Sequence, residues 1–171
     1  GTVLEIGFGS GHNLPYYNKK NVDKIIGLEP SVHMQNLSKK KLKSFDINFE
    51  LITEKAEEIP LESNTIDSVV CTYTLCSISN PKLALSEIKR VLKKDGKFIF
   101  TEHAASPNLK INKFQKKIEP LWKVIADGCH LTRDIRTMLA VNGFNVDSSN
   151  EIYLPGTPKF IGYHIWGLLK K

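Results

Sequence analysis

Cysteine is scarce in this chain. Three occur among 171 residues, at positions 71, 76 and 129, and no two form a C-x-x-C pair. An odd, scattered set argues against a disulfide framework and against a zinc site. No metal is expected, and a reducing, cytoplasmic compartment fits better. Long apolar runs are missing too. None approaches the roughly 18 residues of a membrane span, and no signal peptide is visible. There is no internal repeat, linker or low-complexity stretch. The length then reads as one domain over residues 1–171, long enough to bury one substantial core. Acidic residues are the minority: 18 against 24 basic ones, a net charge of +6. The lysines fall in runs near 39–43, 93–97, 110–117 and the C-terminus, without regular aromatic interleaving. That pattern describes solvated faces, so no nucleic acid partner is expected. A methionine start is also lacking. Gly1 leads straight into a strand pattern, and further chain is expected upstream of it.

What is present alternates between strand and helix periods. Val3, Leu4 and Ile6 make a short buried strand that runs into Gly7, Gly9 and Gly11. Glycines there remove Cβ atoms where the backbone must bend sharply or lie against a ligand. A short helix follows over 13–18, interrupted by Pro15. Strands are expected at 24–28, 48–52, 66–72, 97–103, 144–148 and 159–169. A helix over 32–44 should turn Met34, Leu37 and Leu42 inward. Asn80-Pro81 is a good helix start, and Lys94-Asp95-Gly96 a good stop. Between them Leu83, Leu85, Ile88, Val91 and Leu92 form an apolar stripe. Residues 109–126 are helical in pattern, with Phe114, Ile118, Leu121, Trp122 and Ile125 on one side and a kink or split at Pro120. A last helix spans 132–142 and closes at Gly143. Strands alternating with helices predict an α/β fold with a mainly parallel, seven-stranded sheet and helices on both faces.

In such sheets the ligand lies outside the carboxyl ends of the strands, where the strand order reverses. The glycine loop ends the first strand and suits a polar or anionic group. Glu29 ends the second, where a carboxylate can accept hydrogen bonds from both hydroxyls of a ribose. A dinucleotide-binding turn wants G-x-G-x-x-G, which puts its third glycine at His12. The spacing here is G-x-G-x-G. That disfavours a nicotinamide-dependent oxidoreductase, which is kept as the alternative enzyme.

With Glu5 before the loop and Glu29 beyond it, the stretch resembles the first motif of the class I S-adenosylmethionine-dependent methyltransferases. Glu29-Pro30-Ser31-x-x-Met34 and Ala56-Glu57-Glu58-Ile59-Pro60 extend the match, the second to the family's A-E-x-L-P segment. The run from Ser63 to Thr72 is similar to the family's fourth strand. Arg90-Val91-Leu92-Lys93-Lys94-Asp95-Gly96-Lys97 is similar to its R-x-L-k-x-G-G turn. The resemblance implies a Rossmann-like sheet with one antiparallel strand near the C-terminus. It implies S-adenosyl-L-methionine as cofactor and S-adenosyl-L-homocysteine as product. Cofactor contacts are then expected from Glu5, Gly7, Gly9, Gly11, Glu29 and Pro30. Met34 would pack on adenine, Ala56 and Glu57 would meet its edge, and the methionine part would run along Cys71 and Thr72. Lys55 stands where the family often has aspartate, which moves the adenine amino contact to Glu57. Asp67, at the far end of its strand, reads as structural.

Val70 to Ser77, Glu102-His103 and Asp127-Gly128-Cys129-His130-Leu131-Thr132-Arg133 together resemble the group that includes the membrane-associated alkyl-thiol S-methyltransferases. That group carries a hydrophobic N-terminal segment. A helical segment upstream of Gly1 is therefore expected, and peripheral membrane contact stays open. The implied reaction is in-line methyl transfer to a small, apolar acceptor, with a thiol as one option. A sulfonium methyl is already activated, so the protein mainly aligns nucleophile, methyl and leaving sulfur. His103 is the first candidate for base or thiolate stabiliser. Asp127 and His130 are second candidates, because their turn can fold over the same opening. Cys76 and Cys129 read as small buried fillers. The 109–126 helix reads as core cover, an apolar wall over the acceptor, or a membrane-facing edge. Outside enzymes, the rival is a cofactor-binding module without turnover. No N/D-P-P-Y/F motif follows the fourth strand, which disfavours nucleic-acid methylation. Oligomeric state is not legible.

Overall fold

The strand that feeds the glycine loop, β1 (Thr2–Ile6), lies inside the sheet of a computed structural model that describes residues 1–171. Its neighbours are β2 (Lys24–Leu28) on one side and β4 (Ile66–Thr72) on the other, both parallel to it. Outside β2 lies β3 (Asn48–Ile52), and outside β4 lies β5 (Leu92–His103). Beyond β5 come β7 (Tyr163–Lys170) and β6 (Asn150–Tyr153). The full order is β3-β2-β1-β4-β5-β7-β6. Strand β7 runs antiparallel to both of its neighbours, so it is the single reversed strand in an otherwise parallel sheet. The chain order reverses between β1 and β4, which opens a crevice at their carboxyl ends.

Parallel strands need crossovers, and the helices supply them. Helix α1 (Val32–Leu42) starts at Ser31, whose side chain accepts from the Met34 amide at 3.3 Å. Met34 and Leu42 face inward as expected, Leu42 against the Phe8 cluster, but the buried positions are polar. Gln35 and Ser38 are buried and Leu37 is exposed. The reason is a hydrogen-bonding duty: Gln35 Nε2 donates to the Glu29 carbonyl and to Thr53 Oγ1. Helix α2 (Pro81–Val91) has the Asn80 cap and Pro81 start that the sequence announces. It buries Ala84, Leu85, Ile88 and Val91, while Leu83 turns outward.

The C-terminal third departs further from expectation. Helix α3 (Leu109–Ile125) runs unbroken through Pro120. Its buried residue is Gln115, which bonds the Ser106 amide and the Ala104 and Phe160 carbonyls. Leu109, Phe114, Leu121, Val124 and Ile125 are exposed, so most of the apolar side covers no core. Helix α4 (Ile135–Val141) begins at an Asp134 cap, three residues later than expected. Residues 144–148 are not a strand. Gly143 has a left-handed φ of +79°, and an Asn145 side chain caps the Asp147 amide, so the backbone turns before β6. Phe144 still buries its ring against Phe98. The expected strand over 159–169 starts with a single helical turn, α5 (Lys159–Gly162). The expected helix over 13–18 shrinks to a 3-10 turn, Leu14–Tyr16. At the foot of the sheet Asp67 accepts from the Thr2 amide and pairs with Lys93, a structural role.

Candidate active site

The glycine loop is built from close approaches. Gly7 and Phe8 both donate their amides to the Leu28 carbonyl, which pins the loop to the end of β2. Gly7 has a φ of +69°, and a Cβ there would sit 2.2 Å from Thr74 Oγ1. Only glycine fits that position without displacing the loop after β4. The Gly9 amide donates to Glu29 Oε2 at 2.8 Å, and the Ser31 amide donates to Oε1 at 2.9 Å. The Glu29 carboxylate is therefore aimed by two backbone donors. Each oxygen keeps a lone pair for a further donor.

A cavity of about 460 Å³ lies at this point, at the carboxyl ends of β1, β2 and β4. Seven of the residues expected to act line it: Gly7, Glu29, Pro30, Met34, Ala56, Glu57 and Asp127. Glu57 also spends one oxygen on the Asn80 amide, at the cap of α2. Asp127 reaches the cavity from the turn after α3, in a left-handed conformation with φ of +48°.

The other expected residues are elsewhere, for identifiable reasons. Glu5 is buried behind the loop and accepts from Asn13 Nδ2 at 2.9 Å and from the Tyr17 hydroxyl at 2.5 Å. Burial pushes its carboxyl up to about 7, against the two hydrogen bonds. Asn13 also donates to Thr72 Oγ1, so Glu5, Asn13, Tyr17 and Thr72 form one internal brace between β1 and β4. Gly9 and Gly11 shape the loop without lining the cavity; a Cβ on Gly11 would strike Leu14 at 2.8 Å. Cys71 is fully buried, with its sulfur 3.7 Å from Glu102. Burial raises its thiol well above the usual range. His130 points at Glu119 of α3, 3.2 Å away, and does not line the cavity. His103 sits behind Tyr73, with ring centroids 6.2 Å apart, and its Nε2 is 2.9 Å from Cys129 Sγ.

Sequence reasoning missed the loop after β4. Tyr73, Thr74, Ser77 and Ile78 all line the cavity, as does Lys55. Tyr73 adopts a left-handed φ of +52°, which costs a bulky residue about 1–2 kcal/mol unless its surroundings hold it. The holder is Glu102. Its buried carboxylate accepts from the amides of Thr74 and Leu75 at 2.8 Å and of Cys76 at 3.2 Å. Burial pushes that carboxyl up to about 8, opposed by those three amides. A signal was available: Phe98, Phe100 and Glu102 continue one buried alternation, and a carboxylate ending such a face needs partners.

A reversal at the sheet centre, a glycine loop and an oriented strand-end carboxylate define the Rossmann-like nucleotide-cofactor class. Residues 4–100 match the family described as "Methyltransferase domain". The chain belongs to that family. It is 36% identical over 137 residues to the thiol S-methyltransferase TMT1B of Rattus norvegicus, covering 78% of this chain and 55% of that protein. It is 30% identical over 174 residues to the human thiol S-methyltransferase TMT1A, covering 99% of this chain and 70% of that protein. The chain thus spans about half the length of the rat relative. Among solved structures, a SAM-dependent methyltransferase from Methanosarcina mazei superposes with a TM-score of 0.76, at 16% identity, over 99% of this chain and 92% of that one. At that identity the likeness speaks for the fold.

Proposed function

We propose that this chain binds S-adenosyl-L-methionine in the cavity beside Glu29 and catalyses methyl transfer to a small apolar acceptor, a thiol by class. The carrying observation is the Glu29 carboxylate, fixed by two amides with lone pairs left over, next to the side-chain-free surface of Gly7. A ribose offers the two hydroxyl donors that such a carboxylate lacks. Met34, Pro30 and Ala56 give an apolar bed for adenine, and Glu57 an acceptor at its edge. Gly7, Tyr73 and Thr74 would flank the amino-acid end. The cavity volume suits a cofactor of this size.

The bound cofactor supplies an activated methyl on a sulfonium. The chain's residues orient the partners and exclude water. The thiol class is carried over from the relatives named above. A thiol must lose its proton to react. Asp127 is the expected acid–base residue that borders the cavity. His103, one ring behind Tyr73, is assigned to positioning that loop and stabilising negative charge. Its Nε2 lies 2.9 Å from Cys129 Sγ, which fixes the ring behind that loop.

Calorimetry tests the reading. S-adenosyl-L-methionine should bind saturably, and Glu29→Ala and Gly7→Val should each weaken it sharply. A labelled methyl donor should then pass its label to members of an alkyl-thiol panel. Unchanged affinity in both variants overturns the site. Binding without transfer to any thiol or phenol overturns the enzyme and leaves a binding module.

A further inference from the structure

Cys76, His103 and Cys129 come from three separate parts of the fold and meet at one point. Cys76 lies in the loop after β4, His103 ends β5, and Cys129 lies in the turn after α3. Their two sulfurs and a ring nitrogen all lie within 4.8 Å of one another. Both cysteines are buried and none of the chain's three is in a disulfide. We propose that these three side chains form a binding site for a soft divalent metal ion of the zinc class, with a fourth coordination position left open.

The geometry fits. A tetrahedral zinc with two thiolates and an imidazole holds its sulfurs about 3.8 Å apart and each sulfur about 3.6 Å from the nitrogen. The present 2.9 Å between Cys129 Sγ and His103 Nε2 is a sulfur–imidazole hydrogen bond. Its proton sits where a metal would, and exchange for the ion requires the pair to part by roughly 0.7 Å. The charges fit as well. Two thiolates neutralise a divalent ion, so the centre adds no net charge to a buried place. The surrounding contacts already favour one thiolate. Trp122 Nε1 donates to Cys129 Sγ at 3.4 Å.

The ligands are also held in place. Three amides of the Cys76 loop are anchored on Glu102. The Arg133 guanidinium donates to the Leu75 and Ile78 carbonyls on either side of Cys76. The His130 amide donates to the Cys76 carbonyl at 3.0 Å and stitches the Cys129 turn to that loop. His103 is packed edge-on against His164 and tilted against Tyr73. Such outer contacts fix ligand orientation in metal sites. A buried hydrogen-bonded trio needs no such convergence of two sulfurs and an imidazole. The metal site stands whatever the methyl acceptor is.

The test uses the untagged, reduced, chelator-treated protein. Cobalt(II) is titrated in and followed by absorbance, then zinc is titrated against a chromophoric chelator. The expected result is one equivalent bound, sulfur-to-cobalt charge-transfer bands in the near ultraviolet, and visible bands of tetrahedral intensity that zinc abolishes. Cys76→Ser and Cys129→Ser should each lose half or more of the charge-transfer intensity, His103→Gln should weaken affinity, and Cys71→Ala should keep the full spectrum. Absence of charge-transfer bands in the wild-type protein overturns the proposal, and so does their survival at full intensity in Cys129→Ser. A Cys76–Cys129 disulfide in freshly purified protein, found by alkylation and mass spectrometry, overturns it in favour of a redox pair. The wild-type spectrum is decisive even if a variant fails to fold.

Discussion

The region around Glu29 and the region around Glu102 use one device for two ends. Each carboxylate closes a parallel strand, and each accepts backbone amides from a loop at the same edge of the sheet. Glu29 takes two amides and borders a cavity. Glu102 takes three and is fully buried. The difference shows where binding capacity resides. A carboxylate with spare lone pairs and open space is poised for an external donor. One whose oxygens are filled from within serves the loop alone, here the loop that carries Tyr73, Thr74 and Cys76.

Removing Glu102 should break the comparison hardest. Glu102→Ala orphans three loop amides, two of them fully buried, and frees Tyr73 from its left-handed conformation. The expected cost is about 3–5 kcal/mol, a drop in Tm on the order of 10 °C for a domain of this size. Thermal denaturation by circular dichroism checks it. A loss below about 1 kcal/mol would mean that the loop holds itself. Gly7→Ala comes next, at about 2–4 kcal/mol from φ strain and the Thr74 clash. It should also remove S-adenosyl-L-methionine binding in calorimetry, because it pushes the Thr74 loop off the Glu29 side of the cavity. Full stability with full binding would show that the loop after β4 moves freely.

Glu5 extends the series to a carboxyl that faces only neutral donors. Its folded pKa, about 7, lies above the ordinary 4.5. Between those values the folded state holds more protons than the unfolded one, so stability falls as pH rises through the window. Glu102, raised to about 8, carries the decline somewhat higher. The Glu5 share is on the order of 3 kcal/mol. Urea denaturation near pH 5 and near pH 8 should show the fall, and Glu5→Gln should flatten roughly half of it. A wild-type curve that rises over this range contradicts both shifts.

These differences also explain what could be read from the sequence. The parallel half of the sheet was legible because its strands are bounded by residues with a reason to stand there. Gly7 ends β1, Glu29 follows β2, and Asn80-Pro81 opens α2. The cavity's Glu29 side followed from the same signals. Helix α3 was misread because periodicity measures how side chains segregate, not which side is covered. Its apolar residues are segregated yet open, and Gln115 does the fastening. The Tyr73 loop escaped because no residue type there announces a left-handed turn. The meeting of Cys76 and Cys129 with His103 escaped because spacing rules detect clusters on one knuckle, and these three converge only through tertiary structure.

The smallest expected effect sharpens the comparison most. Glu29→Gln keeps the shape of the side chain but puts an amide nitrogen against either the Gly9 or the Ser31 amide. One donor–donor contact at a cavity edge costs about 1 kcal/mol, because water can reach the group left over. Affinity for S-adenosyl-L-methionine should fall about ten-fold to a hundred-fold, since one hydroxyl loses a charged acceptor. Glu102→Gln inverts that pattern: a clear loss of Tm, with a smaller change in affinity for protein that remains folded. Paired calorimetry and melting curves for the two variants separate the roles. Equal Tm losses would mean that Glu29, too, is chiefly an internal brace, and that the ribose acceptor must be sought on another side chain of the cavity, with Glu57 the next carboxylate along its wall.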